Sequence, residues 1–141
     1  MANTTAVSVQ FKVDSMVAIL PAAISTLKAA LYLASATING SSTAYTATGE
    51  ASGTGYTAGG VAVTAATAPS ASGTNAIWTP TASIVYSTIT PPSAVDTVMI
   101  YDTARSNKAI GTWNFGSQTI TAGTLTLTMP ANAVGTALLQ C

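Results

Sequence analysis

The side chains that most enzymes use for catalysis are scarce in this chain. It contains no histidine, the residue that most often serves as general base and metal ligand. Its single cysteine, Cys141, cannot form an internal disulfide. To act as a nucleophile, Cys141 would need a neighbouring base, and without histidine a lysine or an aspartate would have to supply it. Neither acid–base nor thiol chemistry is favoured by these residue types.

The carboxylates offer two weak candidates for a ligand or a catalytic pair. Asp96 and Asp102 lie six residues apart on one predicted strand, where two acids could share a face as in glycoside cleavage. Asp102 also shares a turn with Ser106 and Asn107, whose oxygens could bind calcium. Calcium sites usually use several carboxylates, and this turn has one. A strand-edge aspartate and a turn aspartate are the simpler interpretation.

Two other patterns also have a plainer explanation. Residues 53–58 match G-x-G-x-x-A, the weak form of a dinucleotide fingerprint, but they lie in a Thr/Gly-rich loop instead of between a strand and a helix. The aromatic residues Trp78, Trp113 and Phe115, together with the tyrosines, could stack on a sugar ring, although aromatic residues at alternating strand positions more often belong to a core or an interface. We therefore expect no enzyme activity, no catalytic residue, no cofactor and no metal site.

Charge is almost absent from the sequence. Only 6% of the 141 residues are charged and the net charge is zero, whereas soluble domains are usually about 25% charged. The charged residues are Lys12, Lys28, Arg105, Lys108, Asp14, Glu50, Asp96 and Asp102. Without a basic patch, nucleic acid is not expected as a partner. A chain this apolar is prone to associate, so we expect much of its surface to be covered by other proteins.

One apolar run resembles a membrane segment but is too short to be one. Residues 16–27 are apolar, yet Pro21 interrupts them and Lys28 ends them. A membrane-spanning helix needs about 20 unbroken apolar residues. No membrane association is expected.

The spacing of apolar residues predicts a short helix in an N-terminal arm over residues 1–25. Phe11, Met16, Ile19 and Leu20 have spacings compatible with one helical face over residues 8–20, and Pro21 ends the pattern. The rest of the chain has the alternation and turn chemistry of short strands.

Strands are predicted in most of the segments after the arm. They cover residues 26–35, 61–65, 77–78, 83–89 and 96–101, a hairpin over 101–115, and two last segments at 124–130 and 133–141. Nothing indicates the strand–helix alternation of a parallel sheet. We predict an all-β chain that forms a single β-sandwich domain over residues 1–141. It would be jelly-roll-like, with about seven or eight short antiparallel strands and the N-terminal helix.

A long Gly/Thr-rich loop is predicted over residues 39–60. It has six glycines and almost no bulky aliphatic side chains, so it cannot build a core of its own and is expected to dock through Tyr45 and Tyr56. Because loops on a packed scaffold often carry interactions, we expect partner contacts in this loop and in the charged turn over residues 102–108. The expected contact residues are Tyr45, Glu50, Tyr56, Asp102, Arg105 and Lys108.

Three stretches of the sequence resemble a group of small phage proteins encoded among virion structural genes. They are TAYTATGEASGTGYTAGGVAVT at residues 43–64, SNKAIGTWNFGSQTITAGTLTLTMP at 106–130, and the closing ANAVGTALLQ. The matching positions are Phe11-Lys12, Ala30-Leu31-Tyr32, Tyr45 to Gly60, Asn107-Lys108-Ala109 and Thr121 to Pro130. The chain departs from the group at Leu125, where an aromatic residue is expected, and at the terminal Cys141.

The resemblance implies a structural role in a virion that is assembled in the host cytoplasm. A capsid decoration or cement protein is the first expectation, and a neck, tail or fibre-base component is the alternative. A host-glycan-binding module is a third possibility, in which the loop over residues 39–60 and the aromatic residues would recognise a surface sugar. The expected partners are further copies of this chain, in a homo-oligomer such as a trimer, and the major capsid protein or other virion proteins.

Overall fold

The computed structural model describes residues 5–20, 25–64 and 68–141. Within these ranges it contains antiparallel strands and one short α-helix, which confirms the all-β class. The helix α1 is Val9–Val17. The strands are β1 Leu27–Leu33, β2 Val61–Ala62, β3 Ser70–Ser72, β4 Asn75–Trp78, β5 Ile84–Ile89, β6 Val95–Asp102, β7 Lys108–Gln118, β8 Gly123–Leu127 and β9 Leu139–Gln140. A single turn of 3-10 helix, Thr103–Arg105, joins β6 to β7.

The chain divides into two compact units. The first comprises Met1–Ile24, Thr64–Ala82 and Met129–Cys141, and the second comprises Ser25–Val63 and Ser83–Thr128. Each is described here by itself. The single jelly-roll-like sandwich over residues 1–141 stays a prediction.

The first unit contains α1 and a three-stranded sheet in the order β3-β4-β9. Trp78 on β4 is fully buried, and α1 packs against β4. The predicted helix is confirmed in type, but its face is only partly right. Met16 and Leu20 are buried as expected, whereas Phe11 is 66% exposed and Ile19 is also exposed.

The strand β3 corrects one sequence prediction. The composition of residues 68–75, which is rich in Pro, Ser and Gly, predicts a turn between strands. Instead, Ser70 pairs with Ile77 and Ser72 pairs with Asn75, so β3 and β4 form a hairpin. Gly73 has a φ of +60° at its tip, so only the turn itself uses the turn-forming residues.

The second unit contains a four-stranded sheet in the order β2-β1-β6-β7 and a two-stranded sheet of β5 and β8. The inner strands β1 and β6 are buried on both faces, which explains why their sequences are nearly continuous apolar runs. Ala30 and Tyr32 of β1 pack with Met99 and Tyr101 of β6 in one hydrophobic cluster. The predicted hairpin over residues 101–115 is confirmed as β6, the 3-10 turn and β7.

Candidate functional site

The loop over residues 39–60 does not extend away from the second unit. Gly49 and Ala51 lie along the outer edge of β1: Leu33 N donates to Gly49 O (2.9 Å) and Ala51 N donates to Leu31 O (2.7 Å). Further along, Thr90 N donates to the carbonyl of Thr54 (2.8 Å). These backbone bonds hold the loop against the sheet, which brings its polar side chains inward.

The carboxylate of Glu50 is the centre of this arrangement. Glu50 is only 9% exposed. Its Oε2 accepts a hydrogen bond from the Tyr45 hydroxyl (2.6 Å), and its Oε1 accepts from the Tyr56 hydroxyl (2.8 Å) and from Gly59 N (2.7 Å). We call these four residues, Tyr45, Glu50, Tyr56 and Gly59, the Glu50 cluster. Hydrogen bonds to an ionised acceptor are the strong ones, so the cluster is a firm attachment point.

The chain's other tyrosines surround the Glu50 cluster and are also bonded. The Tyr101 hydroxyl donates to Gly59 O (2.8 Å) and the Tyr86 hydroxyl donates to Ala29 O (2.8 Å). The Tyr32 hydroxyl donates to the carbonyl of Thr46 in the loop (2.7 Å). All five tyrosines of the sequence therefore lie in one region, where they join the loop to β1, β5 and β6.

Ring contacts add to these hydrogen bonds. The rings of Tyr45 and Tyr101 stack with centroids 4.8 Å apart, and those of Tyr56 and Tyr86 stack at 6.0 Å. Such aromatic pairs contribute about 0.5–1.5 kcal/mol each beyond the area they bury. The loop is thus held by packing as well as by polar contacts.

The environment of the phenols keeps them protonated. Burial first, and then the Glu50 carboxylate, raise the pKa of Tyr45 and Tyr56 above the ordinary value of 10.0. The same two causes raise the pKa of Tyr86 and Tyr101. Burial is also the main cause of the raised pKa of Tyr32. Neutral phenols donate hydrogen bonds to an acceptor, so the arrangement fixes the loop and does not generate a nucleophilic phenolate.

The glycine pattern at residues 53–58 also has a structural explanation. Gly55 has a φ of +79°, and a Cβ atom there would collide with the carbonyl oxygen of Thr88. The glycine is needed where the loop backbone approaches the backbone of β5, not where a phosphate would bind. No dinucleotide site is needed to explain this pattern.

The charged turn over residues 102–108 contains one buried charged residue and two exposed ones. Asp102 is only 2% exposed; its Oδ1 accepts from Ala104 N (2.9 Å), and its Oδ2 lies 3.7 Å from Arg105 Nε. Arg105 and Lys108 are exposed. The turn is joined to the loop, since Tyr45 N donates to Asn107 O (2.9 Å) and Ala109 N donates to Thr43 O (3.0 Å).

The six expected contact residues therefore fall into different positions. Glu50 and Asp102 are buried, and Tyr45 and Tyr56 are half-buried with their hydroxyls bonded to Glu50. The expected docking of the loop through Tyr45 and Tyr56 is confirmed. The internal partners of Glu50 and Asp102 were not indicated by their positions in the sequence. Arg105 and Lys108 are exposed, and their role as partner contacts stays a prediction.

A groove lies beside the strand β7, and nothing in the sequence predicted it. It has a volume of about 340 Å³. Residues of the loop form one wall and residues of β7 form the other: Asn39, Gly40, Ser42 and Thr43 face Ala109, Ile110, Gly111 and Thr112. The alternation of residues 109–115 predicted a strand, but alternation does not tell an edge strand from an inner one.

The remaining sequence candidates are not assembled into sites. Asp96 and Asp102 lie on one strand, β6, and six residues of strand span about 20 Å, against about 5–9.5 Å for the carboxylates of glycosidases. Trp78 is fully buried, so it cannot stack on a sugar ring. In the described ranges, no three His, Cys, Asp or Glu side chains lie close enough together to bind a metal ion.

Two further findings complete the description. In the part of the chain that the structure describes, no helix has both the length and the apolar character to span a membrane. Searches of protein-family models, of curated proteins and of solved structures find no match to this chain.

Proposed function

We propose that this chain is a non-enzymatic structural protein of a phage virion, and specifically a capsid decoration or cement protein that stabilises the head through protein–protein contacts. The observation that carries the proposal is that the side chains capable of chemistry form hydrogen bonds within the chain. Glu50, Asp102 and all five tyrosine hydroxyls have partners within the chain. Among the described residues, no buried side-chain nitrogen or oxygen lacks a hydrogen-bond partner. Polar groups bonded in this way stabilise a scaffold and are not free for a substrate.

The near absence of charge supports contacts with protein. Four positive and four negative charges in 141 residues give little of the repulsion and hydration that keep a free monomer dispersed. Contacts between such surfaces add up when many copies bind side by side, even where each contact is weak. The proposed partners are further copies of this chain and the major capsid or other virion proteins, in a particle assembled in the host cytoplasm. A single jelly-roll-like sandwich is part of this proposal.

The alternative functions differ in where the protein would lie in the particle and in what it would bind. A neck, tail or fibre-base component would use the same kind of contacts at another station. The groove favours a second candidate, a host-glycan-binding module, because Asn39, Ser42, Thr43 and Thr112 place polar side chains along a cavity of about 340 Å³.

The direct experiment is the analysis of purified particles. Particles of a phage that encodes this chain are banded on a density gradient, and its copies are counted against the major capsid protein by quantitative mass spectrometry. A decoration protein is expected in fixed proportion to the capsid protein. A few copies per particle would favour the neck, tail or fibre base, and absence from washed particles would overturn the proposal.

A glycan array separates the second candidate. The purified chain and the groove variant Thr43→Trp, which fills the cavity, are applied to the same array. Binding by the native chain that the variant loses would favour the glycan module. No binding by either is the result expected for a decoration protein.

A further inference from the structure

The two edges of the four-stranded sheet are treated differently. On the β1 side, β2 pairs with only the first part of β1, and the loop covers the rest of that edge. Residues 49–51 bond to β1, and the Tyr56 hydroxyl accepts a hydrogen bond from Leu31 N (3.0 Å). On the β7 side, the loop bonds only at the start of the strand: Ala109 N donates to Thr43 O, and Tyr45 N donates to the carbonyl of Asn107, which directly precedes β7. Beyond Ala109, no strand within the described ranges pairs with the outer side of β7.

The backbone groups that face outward on β7 follow from its register. Ala109 donates its N–H to the loop, so it faces away from β6. The register shift between Ile100 and Tyr101 adds one residue to β7, which makes Thr112 and Asn114 the next residues to face outward. Their N–H and C=O groups form a short row, which is the template that a further strand recognises.

Two features that usually protect an edge strand from pairing are charged residues and prolines, and residues 109–118 include neither. The β6–β7 pair does have register shifts, between Ile100 and Tyr101 and between Val95 and Thr97, and Thr112 and Asn114 lie in the regular part between them. When two identical strands pair about a two-fold axis, a charged residue near the axis lies close to the same residue of the other copy. The two like charges repel each other, so charged residues on the strand oppose self-pairing. The β7 edge has no such obstacle.

From these observations we infer that β7 pairs in antiparallel register with β7 of a second copy of this chain. The inference deepens the proposed function, because it names the surface by which copies associate. Centred on Trp113, the pairing bonds Thr112 of each copy to Asn114 of the other and sets Phe115 opposite Gly111. The groove leaves room for the second strand beside residues 110–112. Residues 43–45 of the loop occupy the outer side of residues 107–109, so the pairing is limited to residues 110–116 of each copy.

The test compares two variants of one residue by light scattering over a range of concentrations. Thr112→Pro removes the outward N–H, and proline is tolerated on an edge strand where that group faces out. Thr112→Ala keeps the N–H and is the matched control. The native chain and Thr112→Ala are expected to dimerise alike, and Thr112→Pro is expected to dimerise at least about tenfold more weakly.

Amide hydrogen exchange on the native chain gives a second measurement that does not depend on a variant folding. The amides of Thr112 and Asn114 are expected to exchange freely in dilute solution and to be protected in concentrated solution. If the chain associates while these amides stay unprotected, or while Thr112→Pro associates as the native chain does, the β7 pairing is wrong and the proposed function stands. A chain that stays monomeric at every concentration also overturns the pairing, while the particle analysis still decides the proposed function.

Discussion

Glu50 illustrates how this chain handles the few charges it has. Its carboxylate is buried, and the three groups that bond to it, two phenols and one backbone N–H, are all neutral. A buried charge is tolerated when hydrogen bonds replace its lost hydration, so each donor matters more than an exposed one would. Deleting one of them should therefore be measurable as a loss of stability.

We predict that Tyr56→Phe lowers the free energy of unfolding by about 1–3 kcal/mol, because it leaves Glu50 Oε1 with one donor fewer and removes the acceptor of Leu31 N. Urea unfolding followed by circular dichroism measures the change. Ser117→Ala, which removes an exposed hydroxyl on β7, is the control and should stay within about 0.5 kcal/mol of the native chain. Equal stability of Tyr56→Phe and the native chain would show that the Glu50 cluster does not hold the loop.

The tyrosines also predict a loss of stability in alkali. Burial and Glu50 raise the pKa of Tyr45, Tyr56 and Tyr86 in the folded chain above their unfolded value of 10.0. A raised pKa contributes stability that is fully present below pH 10.0 and is lost as the pH rises toward the folded-state pKa. Urea midpoints should stay level from about pH 8 to about pH 9.5 and fall above about pH 10.

Ultraviolet titration provides the check on that cause. Phenolate absorbance should develop at higher pH in the folded chain than in the chain unfolded by urea. If the two titrations coincide, the tyrosines do not account for any alkaline loss of stability.

At the scale of elements, the loop over residues 39–60 depends on close approach of its backbone to the sheet. Gly60 has a φ of +78°, and a Cβ atom there would collide with the carbonyl oxygen of Ala29 on β1. Ala29 is paired with Val61 in the sheet, so its carbonyl cannot move cheaply. The glycine is thus required by packing as well as by its dihedral angle.

Gly60→Ala is expected to destabilise the chain by more than about 3 kcal/mol or to prevent folding. Gly73→Ala is the matched control, because Gly73 has a φ of +60° but open space around it. The control should lose only about 1 kcal/mol, the cost of the left-handed conformation alone. Comparable losses in the two variants, measured by thermal unfolding, would show that the contact with Ala29 is unimportant.

The sequence predicted the positions of the strands better than their burial and their neighbours in the sheet. Local alternation located β1, β5, β6 and the β6–β7 hairpin, since side-chain period is a local property. The same alternation could not show that β1 is buried on both faces or that β7 is an edge, because both depend on which strands become neighbours. The strand β3 was missed because its serines and alanine have little β propensity, and pairing with β4 outweighs that preference.

The candidate site was predicted in position but not in orientation. Loop composition correctly indicated that residues 39–60 build no core of their own. Docking of the loop through Tyr45 and Tyr56 was expected from the sequence. Sequence spacing could not show that the two tyrosines share Glu50 as a partner, because Glu50 comes close to both only after the loop folds back on β1.

At the scale of the whole molecule, the proposal joins a loop that is bonded to the sheet, few charges and the open edge of β7. A protein that fixes its loops before it meets a partner loses less conformational entropy on binding. Many such copies can therefore stabilise a particle although each binds weakly. The proposed dimer through β7 would link neighbouring copies. A dimer has two copies, whereas the example of a homo-oligomer in the sequence analysis was a trimer.

The measurement that tests the central claim most directly is the addition of the purified chain to phage heads that lack it. Heads from a deletion mutant are incubated with increasing amounts of the chain, and both the bound copies and the temperature of genome release are recorded. The account predicts saturable binding and a release temperature that rises with occupancy. Heads that bind none of the chain, or that bind it with no change in release temperature, would contradict a cement function.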